Sequence, residues 1–166
     1  MPTEEYRILA VSDVHGRMTR LRWVLENETA DALFFLGDGL YDLDQALACR
    51  TAPPAYPIYR VRGNCDAGAP DPAEGLAPFG GVLFFYTHGH LYNVKSSYDR
   101  LTEYASDRGA DVALFGHTHF KTLRRGMPGY PTLFNPGSLR DGGSYGVITI
   151  RDGVCNFGWK QVPQTW

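Results

Sequence analysis

The five histidines of this 166-residue sequence all follow short apolar runs. Two of them, His117 and His119, come directly after Val112–Phe115 with one residue between them. Alternate side chains of an extended backbone face the same side, so we expect both imidazoles to project together if the segment is extended. A His-x-His pair by itself is also common in solvated loops. The spacing therefore predicts a strand that delivers two metal ligands, provided that other donors lie nearby.

Donor side chains follow several other apolar runs in the same way. Oxygen and nitrogen donors at or just after the ends of these runs form the candidate ligand set: Asp13, His15, Asp38, Asn64, His88, His117 and His119. Because the carboxyl ends of parallel strands gather along one edge of a sheet, these residues can converge. Seven donors are too many for one tetrahedral zinc ion. They suit two octahedral-type first-row ions such as manganese, iron, nickel or cobalt, with a carboxylate between them.

Alternating strand and helix patterns position the first donors. The apolar run Ile8–Val11 precedes Asp13 and is followed by apolar residues at helical spacing from Met18 to Leu25. Ala32–Leu36 lacks alternation, as expected of a strand buried on both faces, and helical spacing resumes from Leu40 to about residue 50. The sequence therefore begins with two strand-turn-helix units.

The rest of the chain is predicted to contain more strands than helices. Further strands are expected at residues 58–61, 82–86, 112–115, 132–134, 145–150 and 154–159, and one helix at about 95–108. The Pro- and Gly-rich stretch Ala67–Gly81 is predicted to be a surface loop. This order predicts an α/β sandwich with a partly parallel sheet, in a single domain over residues 1–166.

Each donor also has an ordinary structural interpretation. Asp13 or Asp38 alone is more typical of a helix cap or turn, and Asn64 of a turn in left-handed geometry. The stretch Asn135–Ser138 alone is also typical of a turn. A Ser-His-Asp relay built from Ser12, His15 and Asp13 is unattractive, since neighbours at one strand end do not easily form it. These separate interpretations leave the recurrence of donors at successive strand ends unexplained.

As an ordered set, five segments resemble the signature blocks of the calcineurin-like metallophosphoesterases. They are Asp13-Val14-His15, Gly37-Asp38, Gly63-Asn64-Cys65-Asp66, His88-Gly89-His90 and Gly116-His117-Thr118-His119. Asn135-Pro136-Gly137-Ser138 looks like a further block of the small phosphodiesterase branch. The resemblance implies a four-layer αββα sandwich.

The resemblance also implies how the ligands divide between two metals. One ion would be held by Asp13, His15, Asp38 and His119, and the other by Asp38, Asn64, His88 and His117. Two such cations lower the pKa of a bridging water, which as hydroxide attacks phosphorus in line. Manganese or nickel is favoured, with iron, cobalt or zinc as alternatives.

Four residues are candidates for a catalytic role. They are Asn64, which is also a candidate metal ligand, and Cys65, Asp66 and His90. Many branches of the family have histidine at the position of Cys65, where it is the usual candidate for protonating the leaving group. The resemblance therefore leaves the general acid open, although cysteine is frequent there in the small branch. His90 is either a proton donor or phosphate contact, or a residue that hydrogen-bonds a ligand. Asp66 is expected to orient a neighbour.

Composition limits the partners and the compartment. A formal net charge of -2 gives no sequence-wide electrostatic case for nucleic acid or an acidic membrane, and no apolar run approaches the length of a transmembrane helix. Three widely spaced cysteines, without a C-x-x-C pair, indicate a reducing cytoplasm instead of a disulfide framework. We expect a cytoplasmic protein with a small phosphoester substrate, and a homo-oligomer stays open.

The sequence thus favours a metal-dependent phosphodiesterase. The alternatives are a phosphomonoesterase, a nuclease of the same superfamily, or a non-catalytic scaffold like the retromer subunit of this fold. The complete ligand set favours an enzyme over a scaffold.

Overall fold

The computed structural model describes residues 4–166, which form two five-stranded sheets and three α-helices. The strands in chain order are β1 (Glu5–Val11), β2 (Ala32–Phe35), β3 (Ile58–Arg60), β4 (Glu74–Phe79), β5 (Val82–Thr87), β6 (Val112–Leu114), β7 (Lys121–Arg124), β8 (Thr132–Pro136), β9 (Ser144–Arg151) and β10 (Val154–Gln161). The helices are α1 (Met18–Asn27), α2 (Leu40–Ala48) and α3 (Asp99–Asp107). Among the described residues, no helix is long and apolar enough to cross a membrane.

The first sheet has the strand order β10-β9-β1-β2-β3. Strands β1, β2 and β3 are parallel, as the strand-turn-helix pattern predicts, whereas β9 and β10 are antiparallel to their neighbours. Helices α1 and α2 cover its outer face, and Leu21, Val24 and Leu43 are fully buried there against Leu9 and Leu33. The apolar stripe of each helix is therefore the surface that holds it on the sheet.

The second sheet has the order β4-β5-β6-β8-β7, with β5, β6 and β8 parallel. Helix α3 covers its outer face through Leu101 and Ala105. The inner faces of the two sheets enclose an aromatic core, in which the rings of Phe34 and Phe84 lie 5.2 Å apart. The layers therefore follow the order helix, sheet, sheet, helix, and the predicted four-layer αββα sandwich is confirmed.

The prediction of a surface loop over Ala67–Gly81 is wrong in its second half, where β4 pairs with β5. Strand β4 lies at the edge of its sheet. An edge strand tolerates Pro78, because a backbone position that faces solvent needs no ladder hydrogen bond. The proline and glycine residues of this stretch are typical of a loop, but an edge strand also tolerates them.

The expectation of an extended backbone through the two neighbouring histidines is also wrong. Strand β6 ends at Leu114, and His117 and His119 have φ of 70° and 67° in the loop that follows. Likewise His90 begins a short 3₁₀ turn and does not continue β5. These loops aim the histidines individually, so residue spacing does not set their direction.

Candidate metal centre

The seven candidate ligands lie in loops at the carboxyl ends of strands from both sheets. Asp13 and His15 follow β1, Asp38 follows β2, and Asn64 follows β3. His88 follows β5 directly, and the remaining two histidines follow β6. The two sheets are joined at this edge by a 2.7 Å hydrogen bond between the His88 ring and the Leu36 carbonyl, residues 52 positions apart in the chain. Packing of one sheet on the other therefore assembles the site.

The first group of donors consists of Asp13, His15 and His119. Its ligand atoms all lie within 4.8 Å of one another. Oδ1 of Asp13 lies 3.5 Å from Nε2 of His15 and 3.2 Å from Nε2 of His119. One buried carboxylate oxygen and two imidazole nitrogens thus face a common point.

The second group consists of Asp38, His88 and His117. Nε2 of His88 lies 3.2 Å from both Oδ2 of Asp38 and Nδ1 of His117, and 3.1 Å from Oδ1 of Asn64. The same Oδ2 of Asp38 lies 3.5 Å from Nε2 of His15. A single carboxylate oxygen of Asp38 therefore lies close to donor atoms of both groups.

Each buried carboxylate is anchored through one oxygen and leaves the other directed at the site. Oδ2 of Asp13 accepts hydrogen bonds from the Ser12 hydroxyl (2.7 Å) and the His117 N–H (3.0 Å). Oδ1 of Asp38 accepts the Cys65 N–H at 2.8 Å. Because the Leu36 carbonyl only accepts hydrogen bonds, His88 donates to it from Nδ1 and presents Nε2 to the other ligands.

Strained backbone is concentrated at this site. Among the described residues, the non-glycine positions with positive φ are Asp13, His15, Asp38, Asn93, His117, His119 and Asp152. Five of these seven are candidate ligands. Left-handed backbone at a non-glycine residue costs on the order of 1–3 kcal/mol and persists where the surrounding structure imposes it, commonly at functional sites. Contacts with the surrounding structure therefore hold these loops in conformations that local backbone preference disfavours.

The donor atoms fit divalent metal ions. Oδ1 of Asp13 and Nε2 of His15 are buried and have no hydrogen-bond partner among residues 4–166. A buried polar atom without a partner is destabilising, and a bound cation would satisfy both atoms. Carboxylate oxygen and imidazole nitrogen are the donors that first-row divalent ions take in such mixed sites.

The titration of the second group also reflects its close packing. Burial opposes charge on Asp38, but the hydrogen bond and charge of His88 hold the pKa of the Asp38 carboxyl well below its usual range. Burial likewise opposes a proton on His88, and its hydrogen bond to Asp38 nevertheless raises the pKa of His88. Burial and the charges of His88 and Lys95 lower the pKa of His117 to about 4, so this ring stays neutral and able to ligate at neutral pH.

The other candidate catalytic residues surround the second group. The carboxylate of Asp66 accepts four backbone N–H groups, from residues 38, 39, 40 and 63, at 2.7–3.0 Å, so it holds the loop that carries Asp38. The centroid of the His90 ring lies 5.4 Å from that of His88, and Nδ1 of His90 is buried without a hydrogen-bond partner in the described part of the chain. Cys65 is exposed overall, and the partial desolvation of its thiol together with the nearby charge of Asp38 raises the thiol pKa.

The segment Asn135–Ser138 forms hydrogen bonds with two of the loops that carry candidate ligands. The Asn135 amide donates to the Gly116 carbonyl and to the Thr118 hydroxyl, at 3.1 and 3.0 Å. The Ser138 hydroxyl donates to the Asp13 carbonyl at 3.0 Å and accepts the Asp141 N–H at 3.0 Å. A segment that alone is typical of a turn thus joins the loops after β1 and β6.

Asp141 is the site residue that the sequence analysis missed. Its Oδ2 lies 2.6 Å from Nδ1 of His119, so the ring donates to the carboxylate and turns Nε2 toward Asp13. The hydrogen bonds from His119 and Arg140 lower the pKa of Asp141. In the sequence it precedes two glycines after Ser138 and carries only the signal of a turn.

Replacing Asp141 by asparagine is expected to weaken metal binding at the first group by about 10- to 100-fold, because a neutral amide no longer fixes the His119 ring as firmly. Metal titration by calorimetry measures this change directly. Asp152→Asn, in the turn that joins β9 and β10, is the matched control and should bind metal as the wild type does. Unchanged affinity in Asp141→Asn would contradict this positioning role.

A family model and a curated relative both relate this chain to phosphoesterases. Residues 6–153 match the family model of the calcineurin-like phosphoesterase superfamily domain. The chain is 30% identical over 153 residues to "Probable metallophosphoesterase YsnB" of Bacillus subtilis, covering 87% of this chain and 85% of the relative.

Solved structures share the fold. A conserved protein from Streptococcus pneumoniae, described as a predicted phosphoesterase, superposes with a TM-score of 0.79 at 24% identity over 96% of this chain and 91% of the other. An archaeal phosphodiesterase superposes with a TM-score of 0.69 at 20% identity, over 93% of this chain and 99% of the other. Vps29 of Chaetomium thermophilum superposes with a TM-score of 0.67 at 17% identity, over 93% of this chain and 96% of the other.

Proposed function

The chain belongs to the calcineurin-like phosphoesterase superfamily, and on that premise we propose that it hydrolyses phosphodiesters at a centre of two divalent metal ions. The observation that carries the proposal is the position of Oδ2 of Asp38, 3.5 Å from His15 Nε2 and 3.2 Å from His88 Nε2. A carboxylate oxygen that faces two separate donor groups is expected where two cations share a ligand.

We assign the ligands as two overlapping sets. The first set is Asp13, His15, Asp38 and His119, and the second is Asp38, Asn64, His88 and His117. Nitrogen and oxygen donors in this number favour manganese or nickel. When bound, the two ions supply Lewis acids that polarise a phosphoryl oxygen and lower the pKa of water.

The rest of the chain contributes charge and hydrogen bonding around the ligands. Burial and the charge of His88 are the main causes that lower the pKa values of His117 and His90, and the positive charges of Lys95 and Arg62 respectively add to them. Such charges attract an anionic ester. The His90 ring, whose centroid lies 5.4 Å from that of His88, is the candidate to contact a phosphoryl oxygen.

A diester is favoured over other substrates for two reasons. The archaeal phosphodiesterase shares the fold along 93% of this chain. The net charge of -2 offers no general attraction for nucleic acid, so a small diester is preferred to a polynucleotide. A scaffold role is the alternative class, because Vps29 proteins share the fold as well. The presence of all seven candidate metal ligands in this chain favours an enzyme over a scaffold.

Metal dependence and substrate choice test the proposal together. Purified protein is analysed for metal, treated with a chelator, and assayed with bis(p-nitrophenyl) phosphate and p-nitrophenyl phosphate before and after addition of Mn²⁺ or Ni²⁺. We expect about two equivalents of metal and hydrolysis that returns with metal and is faster for the diester. Absence of both metal binding and hydrolysis would overturn the proposal in favour of a scaffold. Faster hydrolysis of the monoester would assign a phosphomonoesterase.

Replacing Cys65 by serine is expected to leave hydrolysis of the aryl diester within about threefold of wild type, consistent with its exposed side chain. The hydrogen bond that links Cys65 to Asp38 comes from its backbone N–H, which serine keeps. Steady-state kinetics with bis(p-nitrophenyl) phosphate measure the effect, with Cys49→Ser, another exposed cysteine, as the control. Complete loss of activity in the Cys65→Ser variant alone would show that the thiol is essential.

A further inference from the structure

A cleft of about 320 Å³ opens beside the candidate metal centre, between the start of α2 and the loop after β3. Tyr41 and Cys65 both line it. Sγ of Cys65 also lies within 4.8 Å of ligand atoms of His15 and Asp38. One wall of the cleft is therefore a wall of the metal centre, and a group attached to a phosphoryl moiety held there could extend into the cleft.

The charged groups that line the cleft are already paired. Asp66 is surrounded by the four backbone N–H groups described above. Asp71 and Asp44 both accept hydrogen bonds from the Arg60 guanidinium, at 2.7 and 2.8 Å. Among the described residues that line the cleft there is no lysine, arginine or histidine. The cleft thus offers no charge to hold a second phosphate and is suited to an uncharged group.

The shape of the cleft favours a flat group. Tyr41 is 75% exposed, so its ring is accessible to a ligand. The segment Ala67–Ala69 also lines the cleft and has no side chain larger than a methyl group. A Cβ added to Gly68 would meet nothing within 4 Å. A volume at the lower end of small-molecule pockets suits a single ring system better than a long chain.

We infer that this cleft is a subsite for one ester group of the substrate, and that it binds a flat, uncharged ring by stacking on Tyr41. The inference rests on the proposed function, because the metal centre fixes the phosphoryl group to which the ring is attached. The ring belongs either to an aryl alcohol or to a nucleoside, both of which present an aromatic face to tyrosine.

Two phosphonates with non-hydrolysable carbon-phosphorus bonds test the subsite separately from catalysis. Phenylphosphonate and methylphosphonate share the phosphoryl group and differ in the ring. Their binding to Mn²⁺-loaded protein is measured by calorimetry for the wild type, Tyr41→Ala and Tyr41→Phe. We expect phenylphosphonate to bind about tenfold more tightly than methylphosphonate to the wild type and to Tyr41→Phe. Tyr41→Ala should lose this preference and keep its affinity for methylphosphonate.

The matched control is Tyr130→Ala, which removes another exposed tyrosine, one that lines a different cleft, and should keep the preference for the phenyl group. Equal binding of the two phosphonates to the wild type would overturn the subsite and leave the proposed function standing. Persistence of the preference in Tyr41→Ala would also overturn it. Failure to bind either phosphonate, together with absence of ester hydrolysis, would overturn the proposed function and the subsite with it.

A second pair of ligands distinguishes the two sources of the ring. Adenosine 5′-monophosphate and ribose 5-phosphate share phosphate and sugar and differ in the base. A preference for the nucleotide that Tyr41→Ala removes would identify a nucleoside as the occupant. A Tyr41-dependent preference for phenylphosphonate without such a preference for the nucleotide would identify an aryl alcohol.

Discussion

Replacing Asp38 by asparagine is expected to reduce hydrolysis of an aryl phosphodiester by about a thousandfold or more. Oδ2 of Asp38 faces both donor groups, so the substitution removes a negative charge from both groups at once. Several kcal/mol of electrostatic stabilisation are supplied by metal ions in such centres, and each 1.36 kcal/mol changes the rate tenfold. Asparagine keeps an oxygen that can accept the Cys65 N–H, so the loop is expected to stay folded.

The measurement combines metal analysis with kinetics. The Asp38→Asn variant should bind metal more weakly and in lower amount than the wild type, while its circular dichroism spectrum stays unchanged. Asp107→Asn, an exposed acid at the end of α3, makes the same change of charge away from the site and should keep both properties. Full metal content with more than a tenth of the wild-type rate would show that Asp38 does not bridge.

Replacing Gly116 by alanine is expected to destabilise the protein and to displace the candidate ligand Asp13. A Cβ at position 116 would lie 2.0 Å from the Ser12 hydroxyl oxygen and 2.8 Å from Oδ2 of Asp13. Ser12 and Asp13 are fully buried and joined by a 2.7 Å hydrogen bond, so neither side chain has space to move. Overpacking of this kind costs about 3 kcal/mol or more, which corresponds to a fall in Tm of about 10 °C.

Gly158→Ala is the matched control, because a Cβ there would meet its nearest atom, the Val147 carbonyl oxygen, only at 4.0 Å. Neither glycine has positive φ, so the two substitutions differ in available space and not in backbone strain. Thermal unfolding with and without added metal measures both effects. We expect the Gly116→Ala variant alone to lose the stabilisation that metal gives the wild type. Equal Tm values for the two variants would contradict this account of the site.

The layered fold follows largely from the sequence, since its signals are local. Unbroken apolar runs such as Ala32–Leu36 indicate strands buried on both faces, and helical spacing after them indicates the covering helices. Strand β4 was not predicted, because its proline and glycine residues are typical of a loop. They are acceptable in β4 because it lies at the edge of its sheet, and that position depends on which strands pair. Strand pairing is a long-range property that residue spacing does not contain.

The sequence by itself determined which residues carry donor atoms and that they follow successive strands. Only the tertiary structure decided which atom of each residue faces the site. His88 presents Nε2 because its Nδ1 meets a carbonyl 52 positions earlier, and His119 presents Nε2 because Asp141 lies 22 positions later and accepts from Nδ1. Left-handed backbone turns His117 and His119 toward different donor groups, although their spacing predicts a common direction only in an extended strand. Donor direction is set by contacts between distant segments, which form only when the two sheets pack together.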